Sequence, residues 1–311
     1  MTVSPQSEIS VVALGGGVGG ARLLDGLDRI LPSGSLTAIV NTGDDFQHWG
    51  LHISPDLDTV MYTLAGLAPE ARGWGIEGDT FQVLAEASRR GVDDWFQLGD
   101  RDLLTHLWRS AALAAGDSLT HVTAQLCEML GVERRILPMS DGLRPTMIVT
   151  RSGREMAFQE WLVRARSAPE VREVRHRGTG EATPAVLNAL DAADLIVICP
   201  SNPYVSIDPI LTLRGVSEAV RGATTVAVSP ILGGEAVKGP LARMIPEIEG
   251  VRASAEAIGM RYEGLLDGYA VHPGDAFAAP FPLLETNILI QAKEDRVAFA
   301  RKLIEFARNL K

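Results

Sequence analysis

Between Val11 and Asp58 the chain strings together an apolar run, a turn of almost continuous glycine and a group of aspartates, and this stretch restricts what the rest can fold into. Val11-Val12-Ala13-Leu14 leads into Gly15-Gly16-Gly17-Val18-Gly19-Gly20, then into Ala21 to Leu27, whose apolar residues recur at helical spacing. A strand feeding a glycine turn and a helix leaves backbone N–H groups at the positive end of a helix dipole, with no Cβ in the way. That is an anion site, and phosphate is the expected anion. The glycines at 15, 17 and 20 also fit the dinucleotide pattern G-x-G-x-x-G, which carries little weight alone. A dinucleotide fold needs one acid at the end of its second strand to hold a ribose. Here the second strand, Leu36 to Val40, delivers Asn41-Thr42-Gly43-Asp44-Asp45, and Pro55-Asp56-Leu57-Asp58-Thr59 follows. Four carboxylates within fifteen positions are more than a ribose needs. They suit a hard divalent cation against phosphate oxygens, since Mg2+ takes one or two carboxylates plus substrate phosphate and water. Helix capping is the competing role for single acids, Asp25 and Asp56 in particular.

A chain of 311 residues can bury a large core, as one big α/β domain or as a domain with a sizeable insertion. Its 46% hydrophobic and 22% charged residues are those of a globular protein. The net charge of -10 argues against nucleic acid and anionic membranes as partners while allowing a local positive pocket. Cys127 and Cys199 sit in apolar settings without metal spacing and read as buried thiols in a reducing compartment. No run approaches the ~20 apolar residues of a membrane span. The first residues, with Glu8 and no basic segment, do not read as a signal peptide, so the expected location is the cytoplasm.

Taken in order, Ile9 to Leu14 reads as the first strand, Gly19 to Ile30 as a helix and Leu36 to Val40 as the second strand, a right-handed parallel crossover. The glycine turn and Asp44-Asp45 then share the carboxyl edge of a sheet, where open α/β folds bind ligands. Helical patterns dominate from 57 to 131, and a hairpin pairs Thr146 to Thr150 with Glu155 to Gln159 across Arg151-Ser152-Gly153-Arg154. The α/β pattern resumes near Thr183 with helix Ala185 to Ala193. Leu195 to Cys199 and Thr224 to Val228 are buried strands ending in Pro200-Ser201-Asn202-Pro203 and Ser229-Pro230-Ile231-Leu232-Gly233-Gly234. Tyr269 to His272 and Asn287 to Ile290 read as the last strands, and Lys293 to Leu310 as an amphipathic closing helix. The expected fold is a Rossmann-like α/β domain, a mostly parallel sheet with helices on both faces, formed by 1–56 and 183–311. Residues 57–182 are expected to insert a mostly helical cap with a β-hairpin over the acceptor side.

Seven segments in register give the chain a resemblance. Gly15 to Arg22, Asn41 to Asp45, Pro55 to Thr59, Leu98-Gly99-Asp100-Arg101-Asp102 with Thr105-His106, Met139-Ser140-Asp141, Pro200 to Pro203, and Val228 to Gly234 with Lys238-Gly239-Pro240 resemble the 2-phospho-L-lactate transferase family, the CofD/FbiA group of coenzyme F-420 biosynthesis. Regulators of the YvcK type share the glycine turn and the Ser-Asn-Pro loop. The resemblance implies transfer of a phospholactyl or phosphoenolpyruvyl group from a guanosine-diphosphate-linked donor to the terminal ribityl hydroxyl of the deazaflavin Fo, with Mg2+ and release of GMP. It further implies a homodimer.

Under that resemblance Asp44, Asp45 and Asp58 are the metal and catalytic carboxylates, one of them taking the proton of the attacking hydroxyl. Gly16, Gly17, Val18, Gly19 and Gly20 hold the diphosphate with Arg22 at the helix start, and Ser201, Asn202, Ser229 and Lys238 line the nucleotide side. Asp58 contacts Fo. Gln97 stands where many members carry Lys or Arg, and Arg101 is the nearby candidate to supply that charge. Trp49, Trp74 and Trp161 are candidates either for the core or for stacking on the flat acceptor. An NAD-type oxidoreductase and a nucleotide-sensing regulator remain alternative readings. A P-loop kinase is not expected, because Gly20 is followed by Ala21-Arg22 and no Gly-Lys-Ser/Thr occurs there.

Overall fold

The computed structural model describes residues 9–310. The reading of the first residues as lacking a signal peptide rests on positions 1–8, outside the described residues. The strands in chain order are β1 (Val11–Gly15), β2 (Leu36–Val40), β3 (Phe46–His48), β4 (Leu51–Ile53), β5 (Arg135–Pro138), β6 (Thr146–Thr150), β7 (Glu155–Ala157), β8 (Val171–His176), β9 (Leu195–Ile198), β10 (Thr224–Val228), β11 (Ile231–Leu232), β12 (Glu235–Ala236), β13 (Gly268–Val271) and β14 (Leu283–Glu285). The helices are α1 (Gly17–Asp28), α2 (Pro55–Leu64), α3 (Gln82–Arg89), α4 (Asp102–Ala115), α5 (Leu119–Met129), α6 (Pro184–Asp191), α7 (Asp208–Leu211), α8 (Val216–Gly222), α9 (Leu241–Glu249), α10 (Ala255–Arg261) and α11 (Lys293–Arg308).

Seven strands form one sheet in the order β14-β13-β10-β9-β1-β2-β5, every neighbouring pair parallel. Period-two alternation divides the core cleanly. Val12, Leu14, Ile39, Ile196, Ile198 and Ala227 face one hydrophobic cluster, whereas Val11, Ala13, Ala38, Val40, Val197 and Val226 face the other. The order reverses between β1 and β9, since the chain builds outward from β1 through β2 to β5 and then returns to add β9 on the other side. A crevice opens at the carboxyl ends of strands where such a reversal occurs. The Rossmann-like expectation holds. Among the described residues no helix is long and apolar enough to cross a membrane.

Two expectations are corrected. The segment 57–182 is not a cap set apart from the sheet: α2 packs along α1, and β5 pairs with β2 in register Thr37–Arg135 to Val40–Pro138. The sequence marks Ile136-Leu137 as a short strand, but so short a run does not say which sheet it joins. The hairpin β6–β7 forms as expected, but β8 adds to β6 as a third strand. Asn287 to Ile290 is not a strand; the Asn287 side chain accepts a hydrogen bond from Leu289 N (2.9 Å), a local turn that takes the backbone off the sheet edge, and Leu283–Glu285 pairs there instead.

The small sheet carries a pH-dependent element. His176, on β8 with Nδ1 3.3 Å from Thr146 Oγ1, is held in its neutral form, its pKa pushed down to about 4 by burial and by Arg144 and Arg261. An unfolded histidine binds its proton near 6.5, so the unfolded state gains protons that the folded state refuses as pH falls from about 6.5 toward 4. Stability should decline through that window and level off below it. His176→Gln should flatten this part of a melting-temperature profile against pH.

Candidate active site

The strand β1 ends at Gly15, and Gly16 caps α1 in an extended conformation with no side-chain cap of its own, the Gly17 amide being met by the Asp56 carboxylate. Gly17 takes φ +63°, a left-handed value that a side chain would strain. Across the reversal point, Ser201 follows β9. Its hydroxyl donates to Gly16 O (2.8 Å) and accepts from Gly16 N (3.2 Å), so the second Ser/Pro loop locks the glycine turn in place. Gly16, Gly17, Val18 and Gly19 line a cleft of about 490 Å3, while Gly20 is buried beneath them against Ser201.

Beside the turn, Asn41 organises the carboxylates. Its amide nitrogen donates to Asp44 Oδ1 (3.0 Å) and Asp56 Oδ2 (2.9 Å), and its oxygen accepts from Gly43 N (2.8 Å). Gln159 donates to the other Asp44 oxygen at 2.7 Å. Asp45 points away from the cleft into a pocket where Ser54 Oγ (2.8 Å) and His52 Nε2 (3.1 Å) meet its Oδ2, while its Oδ1 is buried with no partner among the described residues. Burial, then the neighbouring charges of Asp56 and Asp45, pushes Asp44 well above the usual carboxylate range. Burial also raises Asp45, against the pull of His52, and takes Asp56 up to about 6. Asp44 and Asp56 thus repel each other at one end of the cleft, with Asp45 adding to the repulsion from behind, a place where a cation is favourable.

Asp58 belongs to a different group. Both its oxygens are taken by the guanidinium of the fully buried Arg109, one of them at 3.2 Å. His106 lies between two acids, with Nδ1 3.7 Å from Asp58 Oδ2 and Nε2 3.2 Å from Asp102 Oδ1, the latter off the line of a hydrogen bond. Tyr62 Oη donates to Asp102 at 2.7 Å and reaches Thr105 at 2.8 Å. Burial works against the charge of Asp102, yet His106 and Tyr62 outweigh it and hold its pKa below the usual value. Asp58, Asp102, His106 and Tyr62 all face the cleft, whose remaining wall is apolar, with Ile53, Trp74, Phe96 and Phe158 among its residues.

The residues expected from the sequence fall into two sets. Asp44, Asp58, Gln97, Ser201, Asn202 and Lys238 line the cleft with the glycine turn. Lys238 reaches across the mouth to Arg72 O at 2.5 Å, and Asn202 caps the turn at Tyr204 N (3.0 Å). Four others are not among the lining residues. Asp45 is turned to His52 and Ser54. Arg22 donates to Glu70 O (3.0 Å) and lines a smaller pocket behind the helix. Arg101 is drawn outward to Glu77 O (3.1 Å), so it does not supply the charge that Gln97 lacks. Ser229 is fully buried, with its hydroxyl stapling the backbone of Ile231. Of the tryptophans, Trp74 lines the cleft, Trp161 is core and Trp49 binds Asp93 O.

Sequence reasoning missed Asn41, Arg109 and Gln159, named only Trp74 of the aromatic wall, and left Asp56 between the cation cluster and a capping role. One signal was present for Arg109. Asp102, Thr105, His106 and Arg109 recur at helical spacing, a polar stripe on an otherwise apolar helix.

The residues present fit a hard cation in part. The oxygens of Asp44 and Asp56, with the unpartnered Asp45 Oδ1 behind them, are suitable donors; Asp58 is already neutralised by Arg109. Among the described residues no three His, Cys, Asp or Glu side chains converge as a complete cage. That arrangement suits Mg2+, which takes much of its coordination from phosphate and water.

Comparison with known proteins agrees with this geometry. The family model described as 2-phospho-L-lactate transferase CofD matches residues 11–278. A phosphoenolpyruvate transferase of Streptomyces griseus is 40% identical over 97% of this chain and 99% of its own length. A 2-phospho-L-lactate transferase of Methanosarcina mazei is also 40% identical, over 85% of this chain and 88% of its own. Among solved structures, protein BH3568 of Bacillus halodurans, a member of the UPF0052 family, superposes with a TM-score of 0.58 over 92% of this chain and 90% of that one; at 20% identity it shows the shared fold. With the glycine turn, the carboxylates and both Ser/Pro loops inside the matched region, the chain belongs to the 2-phospho-L-lactate transferase CofD family and is a transferase.

Proposed function

We propose that this protein transfers a phosphoenolpyruvyl or phospholactyl group from a guanosine-diphosphate-linked donor to the terminal ribityl hydroxyl of Fo in F-420 biosynthesis, with Mg2+ and with GMP as the second product. The observation that carries the reading is the crowding of Asp56 against the N-terminus of α1, with Asp44 held beside it by the shared Asn41 amide. A helix N-terminus attracts phosphate, but here a carboxylate already stands beside it. A cation between them would let a diphosphate and these acids share the space.

The acceptor oxygen forms a bond to the donor phosphorus that carries the phosphoenolpyruvyl or phospholactyl group, the bond from that phosphorus to the bridging oxygen breaks, and that oxygen departs with GMP. The amides of Val18 and Gly19 would hold the diphosphate oxygens, and Lys238 at the mouth would offset charge on the nucleotide side. Mg2+, when bound by Asp44 and Asp56, supplies charge neutralisation at the oxygens that gain charge as the diphosphate is cleaved. The apolar wall of Phe96, Trp74 and Phe158 suits a flat heteroaromatic ring. Asp58, fixed by Arg109, and Gln97 would receive the hydroxyls of the acceptor chain, and Asp58 would take the proton of the attacking one.

The test supplies Fo, Mg2+ and the two donors in competition, and reads GMP release and product mass, which differs by two hydrogens between the donors. GMP with a matching product supports the transfer and names the donor. Tight nucleotide binding without GMP would favour the sensing role instead. Gly16→Ala is a sharper probe of the donor side, because a Cβ there would collide with the Asp56 carboxylate. It should weaken GDP binding at least about tenfold, a step of ~1.4 kcal/mol, when followed by calorimetry.

A further inference from the structure

The hairpin β3–β4 turns through two residues, Trp49 and Gly50, whose backbones are both left-handed, at φ +53° and φ +77°. A two-residue hairpin with positive φ at both positions is the form that Asn-Gly adopts most readily. Gly50 meets that demand easily, but a bulky side chain at positive φ is an outlier that its surroundings must impose. Two contacts impose it. Trp49 Nε1 donates to Asp93 O at 2.7 Å, and its rings stack on the buried His48 with centres 4.9 Å apart. The ring contacts continue from there: His48 meets Trp95 edge-on at 5.5 Å, Trp95 meets Phe96 at 5.6 Å, and Phe46 meets Phe96 at 4.9 Å. The base of the hairpin is fixed to α4, where Ser110 Oγ accepts from His52 N at 2.7 Å. Its tip can therefore act as a rigid arm.

The arm holds a segment that has little else to hold it. Residues 93–98 belong to no helix or strand, and among the described residues they make no backbone-to-backbone hydrogen bond. The ion pair of Arg164 with Asp93 (3.3 Å) is exposed on both sides and contributes little. Leu98 anchors the far end, buried in a small cluster with Ile53 and Leu103. Between Asp93 and Leu98 lie Phe96 and Gln97, both on the cleft wall, whereas Trp49 is not among the lining residues. We propose that Trp49 is a positioning residue for the acceptor: its turn is kept left-handed so that the indole grips the Asp93 carbonyl and sets Phe96 and Gln97 against the cleft. The identity of the acceptor rests on the transfer reading above, and the clamp does not. Without the indole the segment spreads over many positions, and the ring and amide it offers must be ordered again each time an acceptor binds, a cost that falls on affinity.

The test uses Trp49→Asn, which suits the left-handed turn and lacks the indole. Limited digestion with chymotrypsin, followed by mass spectrometry, should show cleavage after Trp95 and Phe96 accelerated by about tenfold or more, since cleavage reads local opening. In the transfer assay the KM for Fo should rise about tenfold, with kcat at saturating Fo and the KM for the donor held within about twofold. Trp49→Phe keeps a ring on His48 and loses the N–H, so its values should fall between. If Trp49→Asn does not fold, Trp49→Phe carries the test. Unchanged cleavage in a folded variant overturns the proposal. So does faster cleavage with an unchanged KM for Fo, or a loss of kcat accompanied by a rise in both KM values, which marks general damage. If the unaltered protein releases no GMP, the transfer reading fails and the acceptor role with it, while the cleavage rates still decide the clamp.

Discussion

Replacing Asp44 by Asn should lower turnover by ~10²-fold to 10³-fold while leaving the melting temperature of the protein without Mg2+ unchanged or higher. Asp44 sits in the cleft between the Asn41 and Gln159 amides, and burial and the charges of Asp56 and Asp45 make its ionised form costly. The folded protein bears that cost without any packing gain, which is the pattern expected of a group kept for chemistry. Asn keeps the volume, removes the repulsion and discards the charge that a cation needs. The check pairs steady-state rates at varied Mg2+ with thermal melts in chelator. A variant with full turnover at limiting Mg2+ would remove Asp44 from the chemistry.

Replacing Arg109 by Met should destabilise the protein by ~3–5 kcal/mol, because Asp58 would be left as a buried charge without its partner. For a chain of this size the melting temperature should fall by roughly 10 °C. Arg109 is wholly inside the protein, and its guanidinium takes both oxygens of Asp58. The double variant Arg109→Met with Asp58→Leu should recover most of the stability, since an apolar pair can fill the same space without a desolvated charge. It should not recover activity. Equal stability of the single variant and the unaltered protein would mean that the pair is not buried as described.

The two outcomes bear on different readings of one aspartate group. From sequence, Asp44, Asp45 and Asp58 formed a single set, because they are close in the chain and share a side-chain type. The fold separates them. Asp44 faces the cleft, Asp45 turns behind it to His52 and Ser54, and Asp58, on the first turn of α2, is claimed by an arginine 51 positions away. Asp56, read from sequence either as a member of the cation cluster or as a helix cap, stands at the edge of the anion site against Gly16. Ser201 likewise proves to hold the glycine turn itself as well as to line the cleft.

What the sequence determined alone was everything set by short-range chemistry: a glycine turn between a strand and a helix, acids after the second strand, β-branched runs that must be buried on both faces, and a helix with a polar stripe. These follow from backbone sterics and from periods of two and 3.6, which a few adjacent residues express. Tertiary structure alone decided which side chains meet. β5 joined the main sheet, Arg109 reached Asp58, Gln159 reached Asp44 across 115 positions, and Arg22 and Arg101 turned outward to carbonyl groups. The physical reason is that a buried charge or donor must find a partner wherever the packing brings one, and that partner is chosen by the three-dimensional neighbourhood and not by distance along the chain.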